Sequence, residues 1–265
     1  MKVAAIQYCP VFKDIAANIL KLDKLSETVW NNDLIVLPEL ASTGYNFQNR
    51  TEALECGEIL EESKYLDFLK SKSSKFNCYI VSGINELSKG VLFNSSVLIG
   101  PEGLIGVYRK IHLFKNEKNL FSAGNKLPEV YDINIGRIGM LICFDWMFPE
   151  VWRILSIKNA QVICHPSNLV LPYCQSVMPS HALLNRYYTI TVNRTGTEKE
   201  LNFTGQSVIC NPHGNVVERG STSKEEIIMA NIDVDQADNK WMTKNNHLIN
   251  DRRSDLYGNL KINES

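Results

Sequence analysis

Short apolar runs alternate with helix-period segments along this chain, and that alternation leaves few architectures open. Runs over residues 2–8, 34–37, 78–83, 135–142, 161–165 and 189–193 have the length of buried strands. Between them lie amphipathic stretches. Asp14 is placed to cap a helix over 15–31, with Ile15, Ile19, Leu22, Leu25 and Val29 on one face. Residues 61–76 repeat the pattern with Tyr65, Leu66, Leu69 and Phe76, and further helices are predicted from Pro149 and over 176–188. The rhythm changes at 91–99 and 104–109, which read as an antiparallel hairpin turned by Gly100-Pro101-Glu102-Gly103. Segments 206–210 and 215–218, joined through Asn211-Pro212-His213-Gly214, read likewise, and 226–230 is one more strand. Parallel crossovers and hairpins in one chain call for an α/β domain whose mixed sheets are covered by helices, with no linker or repeat to divide residues 1–265.

Composition narrows the function classes. At 265 residues and 44% hydrophobic, the chain can bury a substantial core. A net charge of -1 gives no basis for expecting a nucleic-acid or membrane-surface partner. No run approaches the roughly 18 apolar residues of a spanning helix, and MKVAAIQYCP turns polar too soon, at Gln7 and Pro10, for a secretory leader. A cytoplasmic protein is the expectation. Seven cysteines, an odd number without a CxxC pair, predict reduced core thiols rather than a disulfide framework or zinc site. The five histidines are scattered, so no metal and no cofactor are expected.

Three of the apolar runs end on a side chain with chemistry. LIVLPE delivers Glu39, GVYRKIHLF delivers Lys110, and IGMLIC delivers Cys143. Alone, each is ordinary: a loop carboxylate, a surface cation, a core thiol. Together they suit one reaction. A cysteine attacks as its thiolate and needs a base or a cation beside it. A glutamate can take the proton, and a lysine can stabilise both the thiolate and the oxyanion formed on an attacked carbonyl. Acyl transfer through a thioester uses all three.

These segments resemble the carbon–nitrogen hydrolase (nitrilase) superfamily and its Glu-Lys-Cys triad. LPELASTGY carries the glutamate motif at Glu39, YRKIHLF the lysine motif at Lys110, and ICFDWMFPE the cysteine motif at Cys143. The N-terminal AAIQ, LFNSSVLIGPEG, FSAGN, HPSN, NRTG and DRRSDLY extend the resemblance over essentially the whole chain. It implies a four-layer α-β-β-α sandwich, no cofactor, and pairing into a homodimer that the segment 251–257 helps to form. It also implies a second glutamate beside the lysine, here Glu117. One departure stands out: where many members read R-A-x-E-N, this chain reads HALLN, with His181 and Leu184 at the Arg and Glu positions. A change in helix packing or in support of the site is expected there.

The implied mechanism has Glu39 accept the thiol proton, Cys143 attack an amide carbon, and Lys110 with the backbone N–H of Phe144 hold the oxyanion. Protonated Glu39, helped by Glu117, releases ammonia, and water then cleaves the thioester. Trp146 could wall the pocket or simply fill the core; Asn168 could offer its amide to the substrate; Tyr45 could line the entrance. Cys174 is given no catalytic role. The same triad serves amidases, nitrilases and N-carbamoyl hydrolases, so an amidase acting on a small carboxamide is the first expectation and the other two remain open. A non-catalytic binding relative is the remote alternative, opposed by the intact triad.

Overall fold

The computed structural model describes residues 1–257; the last eight positions of the predicted 1–265 domain lie outside the described residues. The elements run β1 (Lys2–Gln7), α1 (Ile15–Asp23), α2 (Glu27–Trp30), β2 (Leu34–Val36), α3 (Arg50–Glu55), α4 (Lys64–Phe76), β3 (Tyr79–Ser88), β4 (Val91–Gly100), β5 (Gly103–Arg109) and α5 (Glu117–Leu120). The second half holds β6 (Val130–Ile133), β7 (Gly136–Met140), a 3-10 turn (Cys143–Met147), α6 (Pro149–Ile157), β8 (Val162–Ser167), α7 (Cys174–Asn185) and β9 (Tyr188–Asn193). It continues with β10 (Thr197–Glu198), β11 (Leu201–Asn202), β12 (Val208–Cys210), β13 (Val216–Arg219), β14 (Glu226–Asn231), β15 (Trp241–Thr243), β16 (Asn246–His247) and α8 (Ser254–Tyr257).

Two six-stranded sheets share one plan. The first is ordered β14-β1-β2-β3-β4-β5, the second β13-β12-β9-β8-β7-β6. In each, three central strands are parallel (β1, β2, β3; β7, β8, β9) and the flanking pairings are antiparallel. The sheets face one another. Along β1, Val3 and Ala5 join a core shared with Ile138, Met140, Val162, Ile190 and Val208 of the other sheet. Ala4 and Ile6 turn the other way, onto Leu22 of α1, Val29 and Trp30 of α2, and Leu66 and Leu69 of α4. On the far side α6 and α7 cover the second sheet with Val151, Trp152, Leu155, Met178 and Ala182. The architecture is therefore the four-layer α-β-β-α sandwich.

Several expectations need correcting. The helix predicted over 15–31 is two helices. Asp14 caps the first through Ala17 N–H at 2.8 Å, but α1 stops at Asp23 and the chain restarts at Glu27, so Leu22 and Trp30 reach the sheet from different axes. The helix predicted from 61 begins at Lys64, where Ser63 accepts from Leu66 N–H. The helix predicted over 176–188 spans Cys174–Asn185 and ends on Arg186 in the left-handed region. The run 135–142 is only partly strand: β7 starts at Gly136, whose φ is +135°, and pairs with the unforeseen β6. The strand predicted to end at 83 continues to Ser88 and turns through Lys89 and Gly90, both at positive φ, directly into β4. That hairpin hid because its turn lacks the Asn-Gly or Asp-Gly pair that marks the type. The Gly100–Gly103 turn formed as read.

Candidate active site

The reactive side chains sit beyond strand ends, where open sheets expose backbone for function. Glu39 follows β2 and Cys143 follows β7, each a central parallel strand of its own sheet. Lys110 follows β5 on the first sheet, and its N–H is tied to Asn94 O at 2.9 Å. Two turns are locally costly: Leu40, next to Glu39, has φ +46°, and Cys143 itself has φ +40°. Such left-handed non-glycine residues persist only where surroundings hold them. For Glu39 the holder is β3. A Cβ on Gly83 would lie 2.4 Å from Leu40 N and 2.5 Å from Glu39 Cα, so the strand backbone presses directly on the glutamate turn.

The charges form one buried cluster. Lys110 is wholly buried, and its Nζ lies 2.7 Å from Glu39 Oε1 and 2.8 Å from Glu117 Oε1. Tyr45 donates its hydroxyl to the same Glu117 oxygen at 2.7 Å, and Phe114 N–H reaches Glu117 Oε2 at 3.1 Å. Asn94 Nδ2 donates to Glu39 Oε1 at 2.7 Å, while Glu39 Oε2 is buried with no partner among the described residues. Burial works against the Lys110 charge, but the facing carboxylates of Glu117 and Glu39 outweigh it and hold its pKa above the ordinary range. Glu117 is pushed up by burial, against the pull of Lys110. Cys143 is 4% exposed. Burial and then the Glu39 charge push its thiol well up, with Lys110 opposing, so the resting sulfur carries its proton.

A second network fixes the cysteine turn. His165 Nε2 donates to Cys143 O at 2.8 Å, and burial pushes that imidazole down to about 4, so it stays neutral at physiological pH. Asp145, wholly buried, accepts from Ile142 N–H at 2.9 Å and from the Tyr108 hydroxyl at 2.8 Å, and lies 2.8 Å from His112 Nδ1. Trp152 Nε1 donates to Asp145 O, and His181 Nε2 to Trp146 O at 2.8 Å, with the His181 ring stacked on Trp152 at 4.3 Å. The acidic-aromatic sequence after Cys143 is thus a set of anchors for a strained turn.

A carbon-nitrogen hydrolase family model matches residues 2–239. The chain belongs to the carbon–nitrogen hydrolase family. Similarity to individual members runs over nearly the full length. A protein from Pyrococcus abyssi named nitrilase is 41% identical over 97% of this chain and 99% of its own. An (R)-stereoselective amidase from a Pseudomonas species is 29% identical over 97% and 93%. Nit3 of Saccharomyces cerevisiae, a member of branch 10 of the nitrilase superfamily, superposes with a TM-score of 0.80 at 26% identity, covering 90% of this chain and 92% of its own.

Around the triad positions of this hydrolase the other predicted residues fall as follows. Tyr45 and Glu117 line a cleft of about 350 Å³ with Phe47, Phe114, Leu120 and Val170, and Lys115 and Glu200 stand exposed on its rim. Neither this cleft nor a larger one of about 550 Å³ beside Ile59 and Leu127 is lined by Glu39, Lys110 or Cys143. Phe144 packs its ring on Phe114 and Phe148, at 5.0 and 5.4 Å. Trp146 is buried in the main core and does not line the cleft. Asn168 is next to the glutamate, but its amide Nδ2 is given to Glu39 O at 2.9 Å, leaving Oδ1 as the unpartnered atom. Cys174 is wholly buried at the start of α7. All seven cysteines are free thiols, and the described residues contain no cluster suited to a metal. His181 is buried against Trp152 whereas Leu184 is 57% exposed. Sequence reasoning missed Asn94 and His165. The signal available was position: each is a bulky polar residue inside a largely apolar strand.

Proposed function

We propose that this enzyme hydrolyses the carbon–nitrogen bond of a small carboxamide through a thioester on Cys143, releasing ammonia. The observation that carries this is the asymmetry of Glu39: Oε1 is engaged by Lys110 and Asn94, while Oε2 is buried and unpartnered. A base with one oxygen anchored and the other free suits proton transfer. The thiol proton passes to Glu39 as sulfur attacks the carbonyl carbon. Lys110 and the Phe144 N–H stabilise the oxyanion; among the described residues no carbonyl takes that N–H. The tetrahedral adduct expels ammonia, which receives the proton from Glu39, and leaves the acyl–sulfur bond. Glu39 then deprotonates water, the new adduct forms, and it collapses to the carboxylic acid with the proton returned to the thiolate. Glu117 keeps Lys110 charged and aimed.

A nitrile is the second reading, favoured by the 41% identical Pyrococcus abyssi relative named nitrilase. The sulfur would then add to the C≡N carbon and form a thioimidate, whose hydrolysis yields the same thioester. Ammonia release from matched pairs, such as propionamide and propionitrile, with ureido acids and ureido amines alongside, separates the readings by kcat/KM. Cys143→Ala is the blank and should show no turnover. A variant retaining a tenth of the wild-type rate, or a wild type silent on all classes, would overturn the proposal.

The resemblance also implies a homodimer. Exposed Met147, Ile157, Leu183 and Leu184, on or beside the helices that cover the second sheet, support that arrangement. None of the described helices is long and apolar enough to cross a membrane.

A further inference from the structure

Arg194 and Glu198 form an ion pair, 0% and 4% exposed at the side chain, outside the triad. Burying two charges is costly unless their remaining hydrogen-bonding groups are satisfied. Arg194 gives Nη2 to Cys9 Sγ at 3.4 Å and leaves Nε without a partner among the described residues, while the carboxylate's second oxygen is spent on the Tyr45–Asn46 segment. Glu198 Oε1 accepts from Tyr45 N–H at 2.8 Å and also from Asn46 N–H, while Glu198 O takes Asn46 Nδ2 at 3.0 Å. Gly44 packs so closely that a Cβ there would come within 2.7 Å of Glu198 Oε2. The other partner acts on the ring. The Arg194 guanidinium lies 4.0 Å over Phe203, and Phe203 meets the Tyr45 ring edge-on at 6.0 Å and 89°. Backbone and ring of one tyrosine are held by the two halves of one ion pair, and that tyrosine's hydroxyl ends on Glu117.

We propose that Glu198, with Arg194 as its counter-ion, is a positioning residue for the reaction: it fixes the Tyr45–Asn46 backbone so that the Tyr45 hydroxyl meets Glu117 and keeps that carboxylate on Lys110. This rests on the triad chemistry proposed above. Simple support of the short β10–β11 hairpin is the competing account, and it makes no reference to Tyr45.

A double-mutant cycle between Glu198→Gln and Tyr45→Phe decides between them. Each single variant should lower kcat about tenfold with KM within about twofold, and the double variant should be no slower than either. Glu117 faces Lys110, Glu39, Tyr45 and the Phe114 amide. Lys110 and, after it, the tyrosine hydroxyl favour the charged carboxylate, and Glu39 opposes it; withdrawing the hydroxyl should therefore move the acidic limb of kcat to higher pH in both variants. Arg194→Lys, which preserves the counter-charge, should recover most of the rate. Additive losses, an unmoved acidic limb, or full activity in Glu198→Gln would overturn the proposal. If Glu198→Gln does not fold, Glu198→Asp withdraws the carboxylate from the two amides while keeping its charge, and the same cycle is read. Should wild type turn over none of the amides or nitriles, the triad reading has failed. The cycle is then read on the rate at which iodoacetamide alkylates Cys143, followed by intact mass against Cys143→Ala, and additivity there overturns the proposal.

Discussion

Glu117 shares a lysine with Glu39 and differs from it in what else it touches: a tyrosine hydroxyl and a backbone amide rather than a free face. Glu117→Gln keeps those hydrogen-bonding shapes but removes the charge that sustains Lys110. It should reduce kcat/KM by about 10²–10⁴ with the fold intact by circular dichroism; a loss under tenfold would remove Glu117 from the mechanism. His165 makes a pH prediction. Its folded pKa is pushed down to about 4 from 6.5 by burial, so the unfolded chain takes up the proton first. The stability margin is whole above about pH 6.5 and falls by up to about 3 kcal/mol as pH drops from there through about 4. His165→Gln still offers a donor to Cys143 O and does not titrate. Its melting temperature should decline less between pH 7 and 4 than that of wild type; parallel declines would show that His165 is not the group responsible.

At the scale of elements, the close passage of β3 behind Glu39 is a demanding contact. Gly83→Ala puts a methyl carbon into the Leu40 amide and the Glu39 backbone. The strand is wholly buried there and cannot yield outward. Kcat should fall at least about a hundredfold, and thermal stability by an amount typical of overpacking, about 1–3 kcal/mol. Normal kinetics in that variant would mean that the glutamate turn has room to shift. This contact also marks where sequence stopped being informative. Glu39, Lys110 and Cys143 were legible because each follows a short apolar run, and strand ends are where such runs release a side chain. Gly83 was invisible because closeness to Glu39 depends on parallel pairing between β2 and β3, which no local pattern specifies. The Lys89-Gly90 turn was hidden too, because positive φ at both residues rather than a marked turn pair sets it. Asn168 was singled out from the HPSN segment as an amide for the substrate, while its amide bonds the backbone of Glu39 on the other sheet.

For the molecule as a whole, the expected pairing can be tested through the HALLN segment. Leu184 stands exposed on α7, and Arg153 of α6 reaches its carbonyl at 2.7 Å, so the two helices present one surface. Light scattering should give twice the chain mass for wild type, and Leu184→Glu should shift the population toward monomer at micromolar concentration; a monomeric wild type would end the dimer reading. The layering has a further consequence. Glu39 and Lys110 belong to one sheet, Cys143 and Asn168 to the other, and packing of the two sheets, through the shared core and the Asn168–Glu39 hydrogen bond, brings them together. A chain in which each sheet has formed but the two have not yet closed would hold the thiol apart from its proposed base and cation. Catalytic rate should therefore gauge how firmly the sandwich is shut.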